Sequence, residues 1–559
     1  MSIDLKNIRT YTDGKASFMV GLFEELNLPH VFDTYLEKES GRPPEIPYGI
    51  LAEMMLVNLC DDHHPLSRLN EYYKFKDIEG IFHHPLQLSQ INDDRFGGFL
   101  DLFHQAGPRK IFSEISANAF IRYGLSVRNI NFDTTSKVMW GTYEVDGEKE
   151  GVIKIDYGYS KQKRQDKKQI KMAIGAADGI IVDAKVMSGN ADDKSYNKEN
   201  LNNVEELLIK LEIDKSTFYY IADSALFSQD NLLKARDKGI KLITRIPDNT
   251  KAVKDMVTRA ALNFENMKPV EFPGRKGRDR YKIFEEEGSY HSIPLKYCIC
   301  YSAEMRLKKE TSIHKRVAEE ALEISQLIKH YEGRMYACLE DANIEISKTL
   351  SKKLGKFKYH KVSVQSEGSY KRKPGRPFVN TVETNENNSF KLEIVWGQDS
   401  ECIESIIREQ SLFVICSNDT CISAEDLLRE YKTQGLVEKK FQQLKSPQFV
   451  NSLYLESPQR VEALAYLLLI AVMVLSVAEH VVRREMAKNK ETIIGPGRVK
   501  MTKPSLVAIY QIFYEIQTIV YHAGLTTQRD FSHPPNDSIK TVLRCLGIKE
   551  SSFIRGSTS

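Results

Sequence analysis

Three acidic residues of this chain stand where carboxylates can do metal chemistry, and Glu438 has the richest surroundings. The stretch from Glu430 to Lys445 reads as one helix on which Tyr431, Gln434, Glu438 and Lys445 share a face. At roughly 100° per residue the four fall within an arc of about 60°. One stripe then offers a phenol, an amide, a carboxylate and an ammonium, an acid able to hold a divalent cation beside groups that grip phosphate. Alone, such a stripe is more often a solvated charged face. Two further acids follow apolar runs upstream. The alternation of Ile130 and Phe132 predicts a strand reaching Asp133, and Phe218 to Ala222 predicts a buried strand ending at Asp223. A helix-like stretch from about Ser228 to Lys238 follows the second. Acids at strand ends are rigidly placed and can converge with a helix-borne Glu. Three carboxylates can hold two Mg2+, which prefers oxygen ligands and leaves positions open for water and phosphate.

The elements that must position these acids are spread over the whole chain. Residues 1–125 read as a helical N-terminal domain, with apolar-periodic segments at Phe18–Leu26, Ile50–Leu59 and Phe96–Ala106. From about 126 to 250 the pattern changes to strands, including a hairpin turned by Asp178-Gly179 and a further strand at Ile240–Ile246. Ninety residues separate Asp133 from Asp223, but 215 separate Asp223 from Glu438. The excess predicts a domain inserted at 251–404, and the core resumes at 405–485. The insertion reads as strands near Tyr297–Tyr301, a charged helical hairpin or coiled coil from about Ala303 to Leu354, then strands at Tyr359–Val364 and Phe390–Trp396. Ala463 to Ala478 is an apolar run of 16 residues, short of the ~20 a membrane span needs, and reads as a buried core helix. Residues 486–559 read as a helical C-terminal region.

Taken together, these motifs resemble a DDE transposase of bacterial insertion sequences, of the IS4-type group and closest to its IS1634-like branch. The resemblance rests on 131–136, 157–169, Ser188 to Asp193, Ala222-Asp223 and the helix from Tyr431 to Lys445. The group's last helix carries Tyr-x2-Arg-x3-Glu-x6-Lys; Tyr431, Glu438 and Lys445 fit, and Gln434 replaces the Arg. The resemblance implies an α/β fold with an RNase H-like mixed-sheet core interrupted by a β-rich and helical insertion. It implies Asp133, Asp223 and Glu438 as catalytic residues and ligands of two Mg2+ ions, with Mn2+ able to substitute. The implied reaction is cleavage and strand transfer of double-stranded DNA, the terminal inverted repeats being joined to target DNA. A homodimer on DNA, no membrane, and a cytoplasmic, nucleoid-associated location go with it. The N-terminal helical domain would recognise the transposon end. Two other readings stand beside it: a transposase-derived DNA-binding protein without cleavage, and a structure-selective nuclease on the same fold.

Composition permits this reading. The chain has 559 residues, enough for three or four domains, and 41% hydrophobic residues, the content of a folded protein. Its net charge of +3 is nearly neutral, so any nucleic-acid surface must come from local clusters. One runs from Lys154 to Lys171, with seven Lys/Arg against two Asp, and includes Lys161, Lys163 and Arg164. Another, Lys352 to Pro377, has nine against Glu367 and ends in Lys371, Arg372, Lys373 and Arg376, part of an AT-hook-like string. These residues, with Tyr431, Gln434 and Lys445, are the candidate DNA contacts. The eight cysteines show no paired CxxC spacing, and Cys298 and Cys300 read as core thiols. Asn190 and Asp193 are placed near the site without an assigned role, and Trp396 reads as core packing.

Overall fold

The computed structural model describes residues 8–36, 43–61, 64–143, 151–160, 164–272, 281–369, 389–445, 455–523 and 526–554. The N-terminal region is built mainly of helices, among them α1 (Gly14–Glu25), α2 (Tyr48–Cys60), α3 (Asp93–Ala106) and α4 (Pro108–Tyr123). Proline at the first position starts α4, and Gly124 in the left-handed region ends it.

The body of the molecule is a nine-stranded sheet. Its strands are β1 (Asn129–Val138), β2 (Gln169–Ala177), β3 (Ile180–Ser188), β4 (Tyr219–Ala222) and β5 (Lys241–Arg245). The remaining four are β6 (Lys268–Val270), β7 (Tyr281–Tyr290), β8 (Ile293–Ser302) and β9 (Leu412–Ser417). Across the sheet they run β3-β2-β1-β4-β5-β9-β8-β7-β6. β1, β2 and β3 form an antiparallel meander, whereas β4 is parallel to β1 and β5 parallel to β4. That five-strand order, antiparallel then parallel, is the RNase H-like mixed sheet. The β2–β3 turn has Asp178 at φ 48° and Gly179 at φ 79°, as a two-residue type I′ hairpin requires. The two parallel crossovers pass through helices, α5 (Asp193–Lys210) before β4 and α6 (Gln229–Asp237) before β5.

Three structural differences from the sequence reading have physical causes. Strands β6 to β8 of the inserted segment do not stand apart. They continue the main sheet, because β9 pairs with β5 on one edge and β8 on the other, so no edge is left open there. The charged stretch after β8 is one long helix, α7 (Ala303–Tyr331), followed by short helical pieces at Leu339–Glu345 and Ser351–Leu354. Its buried Ile313 and Val317 pack on Tyr359, Ile403 and Ile407 rather than on a coiled-coil partner. The C-terminal region is not all helical: Thr518–Ala523 pairs with Thr526–Phe531 and with Arg9–Tyr11 from the other end of the chain. The β-branched and aromatic residues of Thr518 to Tyr521 suit a strand, and its hairpin partner is local, but its other partner, Arg9–Tyr11, is remote in sequence.

The apolar run at 463–478 lies inside α10 (Pro458–Asn489), a helix long and apolar enough to cross a membrane. In the structure 94% of its apolar window is buried, packed against β3, α3 and α4. It is the central core helix. Cys298 and Cys300 are both buried, as their strand pattern suggests. Trp396, by contrast, is half-exposed on a ribbon formed by His360–Ser369 and Ser389–Gln398, with its ring edge against His360.

Candidate active site

The site begins with the two faces of β1. Ile130 and Phe132 point into the core, and the Phe132 ring stacks on Tyr220 of β4 with centroids 4.3 Å apart. Gly175 lies opposite Phe132 on β2, where a Cβ would come within 2.5 Å of that ring, so only glycine fits. The alternate residues Asn129 and Asn131 face α8 (Ala424–Tyr431) and the turn that joins it to α9 (Gly435–Leu444). Asn129 donates from Nδ2 to Glu430, and Asn131 Nδ2 donates to Thr433 Oγ1 at 2.8 Å. Arg128 Nε pairs with the same Glu430 at 3.1 Å.

Asp133 is the next residue on that face. The parallel register sets Phe132 beside Ala222, so Asp133 and Asp223 occupy successive positions on neighbouring strands, about 4.8 Å apart strand to strand. Asp133 accepts from the Thr134 N–H at 2.7 Å, and Asp223 accepts from the Ala225 N–H at 3.0 Å, capping a single 3-10 turn. Thr244 Oγ1 donates to the Asp223 carbonyl at 2.7 Å and ties it to β5. Both acids are half-buried. One expectation needs correction: Asp133 is not at the end of its own strand, since β1 runs on to Val138. It stands where the parallel partner β4 stops, which leaves that edge of β1 without a β4 partner.

The single helix expected around Glu438 is broken. A 3-10 turn at Lys432–Gln434 separates α8 from α9, so Tyr431, Gln434, Glu438 and Lys445 do not lie on one continuous helical face. Thr433 is the cause: its hydroxyl bonds back to the Glu430 carbonyl at 2.7 Å and across to Asn131 Oδ1 at 3.0 Å. Tyr431 ends α8 against Phe413, ring centroids 6.3 Å apart. Burial pushes its hydroxyl up to about 12, opposed by the Arg245 charge and reinforced by Asp223, Cys300 and Glu438. The phenol thus sits in the field of both Asp223 and Glu438. Glu438 is exposed in the first turn of α9, Gln434 precedes that helix half-buried, and Lys445 follows its last residue.

The donor chemistry suits a hard divalent cation, because Asp133 and Asp223 bring carboxylate oxygens from adjacent strands. Among the described residues, however, no three His, Cys, Asp or Glu side chains are grouped closely enough to hold a metal ion.

The expected DNA contacts fall into two sets. Lys161, Lys163, Lys371, Arg372, Lys373 and Arg376 lie outside the described residues. Arg164 is described, ion-paired with Asp166 at 2.7 Å and stacked over Trp140. Part of that basic cluster is used internally. Lys168 donates to the carbonyls of Thr142 and Tyr143, and Lys171, largely buried, pairs with Asp193 at 3.1 Å. The sequence reading missed Asn129, Asn131, Thr433, Glu430 and Arg245. The alternation of polar Asn with apolar Ile130 and Phe132 was the available signal, marking a central strand with one polar face.

Residues 142–474 match the family model for the Transposase DDE domain. Residues 14–117 match a domain of unknown function, DUF4277. No functionally curated protein matches the chain. Among solved structures, the piggyBac transposase synaptic complex with hairpin DNA matches with a TM-score of 0.39 and 9% identity, over 89% of this chain and 79% of that one. The Mos1 transposase paired-end complex with left transposon end matches with a TM-score of 0.15 and 11% identity, over 41% and 67% of the two chains. The Mos1 strand transfer complex gives 0.15 and 12%, over 41% and 66%.

Proposed function

The chain belongs to the Transposase DDE domain family, and on that premise we propose that it cuts DNA at the ends of its own element and transfers the freed strands to target DNA. The observation that carries this reading is the aspartate pair, Asp133 and Asp223, set side by side by the β1–β4 register. In this reading the two aspartates and Glu438 would hold two Mg2+ ions, for which Mn2+ can substitute. Bound there, the ions would lower the pKa of a water and stabilise the leaving 3′ oxygen. Tyr431 keeps its proton far above neutral pH. It therefore serves as a hydrogen-bond donor beside Asp223 and not as a nucleophile. Lys445, Gln434 and the basic residues Lys161, Lys163, Arg164, Lys371, Arg372, Lys373 and Arg376 contact DNA phosphates.

The organisation that goes with it assigns residues 1–125 to recognition of the element's terminal repeats, 126–250 and 405–485 to the core, 251–404 to an insertion and 486–559 to a C-terminal region. The IS4-type, IS1634-like affiliation, a homodimer on DNA and a cytoplasmic, nucleoid-associated setting complete the proposal. A second reading is DNA binding without cleavage.

One experiment decides between them. Purified protein is incubated with Mg2+ and duplex DNA carrying the element's ends, beside Asp133→Asn, Asp223→Asn and Glu438→Gln. Each substitution should lower cleavage by a hundredfold or more while DNA binding persists, since each removes one ligand charge at nearly constant shape. Wild-type binding without any cleavage would establish the second reading. Cleavage at wild-type rate in one variant would remove that residue from the site.

A further inference from the structure

A cavity of about 770 Å3 lies between α9, the Asp178-Gly179 turn and the C-terminal half of α10. Its walls carry Lys439 and Lys440 from α9, Arg483 and Arg484 from α10, and Lys503. Against these five cations stand two lining carboxylates, Asp178 and Glu479. Glu479 is already engaged, pairing with Arg483 at 2.7 Å and accepting from the Leu506 N–H at 3.1 Å. Arg484 pairs with Glu485 at 3.1 Å. Burial lowers the pKa of His480, the remaining basic side chain in the wall.

Three ammonium groups are left. Lys439, Lys440 and Lys503 form no ion pair among the described residues, and Lys440 is only 6% exposed. Its one hydrogen bond goes to Gln443 Oε1 at 3.1 Å. A buried ammonium held by a neutral amide is costly unless an anion completes its surroundings. The family match ends at residue 474, before Arg483, Arg484 and Lys503.

We propose that this cavity binds phosphate, and that the phosphate belongs to the backbone of a DNA strand running past α9. This rests on the transposase reading. The choice of DNA over a free phosphate follows from position: Lys439 and Lys440 directly follow Glu438 on α9. A helix is about 10 Å across, so a phosphate held here stands within a few nucleotides of a strand reaching Glu438. Lysines suit this role, giving point charges that hold backbone oxygens without reading sequence.

The test compares wild type with Lys439→Ala/Lys440→Met/Lys503→Ala and with the double variant Lys439→Ala/Lys503→Ala. The double variant changes only exposed side chains and keeps the test valid if the triple variant fails to fold. Duplex DNA binding is measured by anisotropy across a salt series, for element ends and for unrelated sequence. The slope of log K against log salt should fall by about 0.9 for each contact removed, equally for both sequences. An unchanged slope in both variants overturns the proposal. A second arm measures thermal midpoints with millimolar pyrophosphate and no DNA. Protection of wild type but not of the variants, with an unchanged DNA slope, would assign the cavity to a free phosphate ligand and overturn the DNA assignment. If wild type binds no DNA at all, the transposase reading fails, and the pyrophosphate arm still reports on the phosphate site by itself.

Discussion

Asp13 offers a test of the structure in which the sign and size of the effect both follow from its surroundings. It is 2% exposed, immediately before α1, and accepts from the Asp77 N–H at 3.2 Å. Burial raises its pKa from 3.8 to about 7; the nearby Asp77 charge adds to this, while the Asp77 N–H, the Lys76 charge and the Thr518 hydroxyl oppose it. A carboxyl with a raised pKa binds its proton more tightly folded than unfolded. Its contribution to stability is therefore fully present below about 3.8 and is lost as pH rises through about 7. Between pH 5 and 7 the unfolded carboxyl is ionised and the folded one is mostly not, so stability falls by up to about 1.4 kcal/mol per pH unit. That sets a ceiling near 2.7 kcal/mol across the window, and relaxation around a buried charge lowers the expected loss to about 2 kcal/mol. Asp13→Asn keeps an oxygen to accept from Asp77 and removes the titration. Urea unfolding of both proteins at pH 5, 6, 7 and 8 should show the variant gaining on wild type steadily up to pH 7, with the difference flattening above it. Titrating groups remote from Asp13 cancel in that difference. Parallel stability curves for the two proteins would mean that Asp13 is already ionised in the folded chain at pH 5, and the argument would fail.

Two glycine substitutions near the site should act in opposite directions. Gly175→Ala brings a Cβ within 2.5 Å of the Phe132 ring and should cost about 1–3 kcal/mol in urea unfolding. Adding Phe132→Leu should recover part of that loss, and strict additivity of the two changes would refute the contact. Gly435→Ala should stabilise by about 0.4–1 kcal/mol, because Gly435 is helical at φ −60° with nothing within 4 Å of a Cβ. A lower unfolding midpoint for Gly435→Ala would show that the break between α8 and α9 requires glycine.

The aspartates were legible because their signals are local. Apolar runs ending in Asp133 and Asp223 follow from strand periodicity, and Asp178-Gly179 announces its turn through positive φ at both residues. What the residues could not declare is which strands lie side by side. The β1–β4 register, which turns two isolated acids into a pair, is fixed by crossovers and by the Phe132–Tyr220 stack. The extension of the sheet by β6 to β8 and the pairing of Arg9–Tyr11 with Thr518–Ala523 are long-range in the same way.

The break before α9 shows where periodicity fails. From Glu430 to Lys445 the sequence contains no proline and one glycine, Gly435, and its other residues are mostly good helix formers, so local propensity gives one helix. The interruption comes from Thr433, whose hydroxyl bonds the Glu430 carbonyl and also reaches Asn131, 302 residues away in sequence. A threonine in that position bends a helix only where a partner across the interface holds it. The same contact gives the break a consequence: it fixes the end of α8 to the strand that carries Asp133, and α9, carrying Glu438, starts afresh beyond the turn. That helix is anchored in its own right: it packs on β1, β2 and α10 with Val437, Phe441 and Leu444 buried, so the exposed Glu438 rides on an element held against the same sheet as the aspartates.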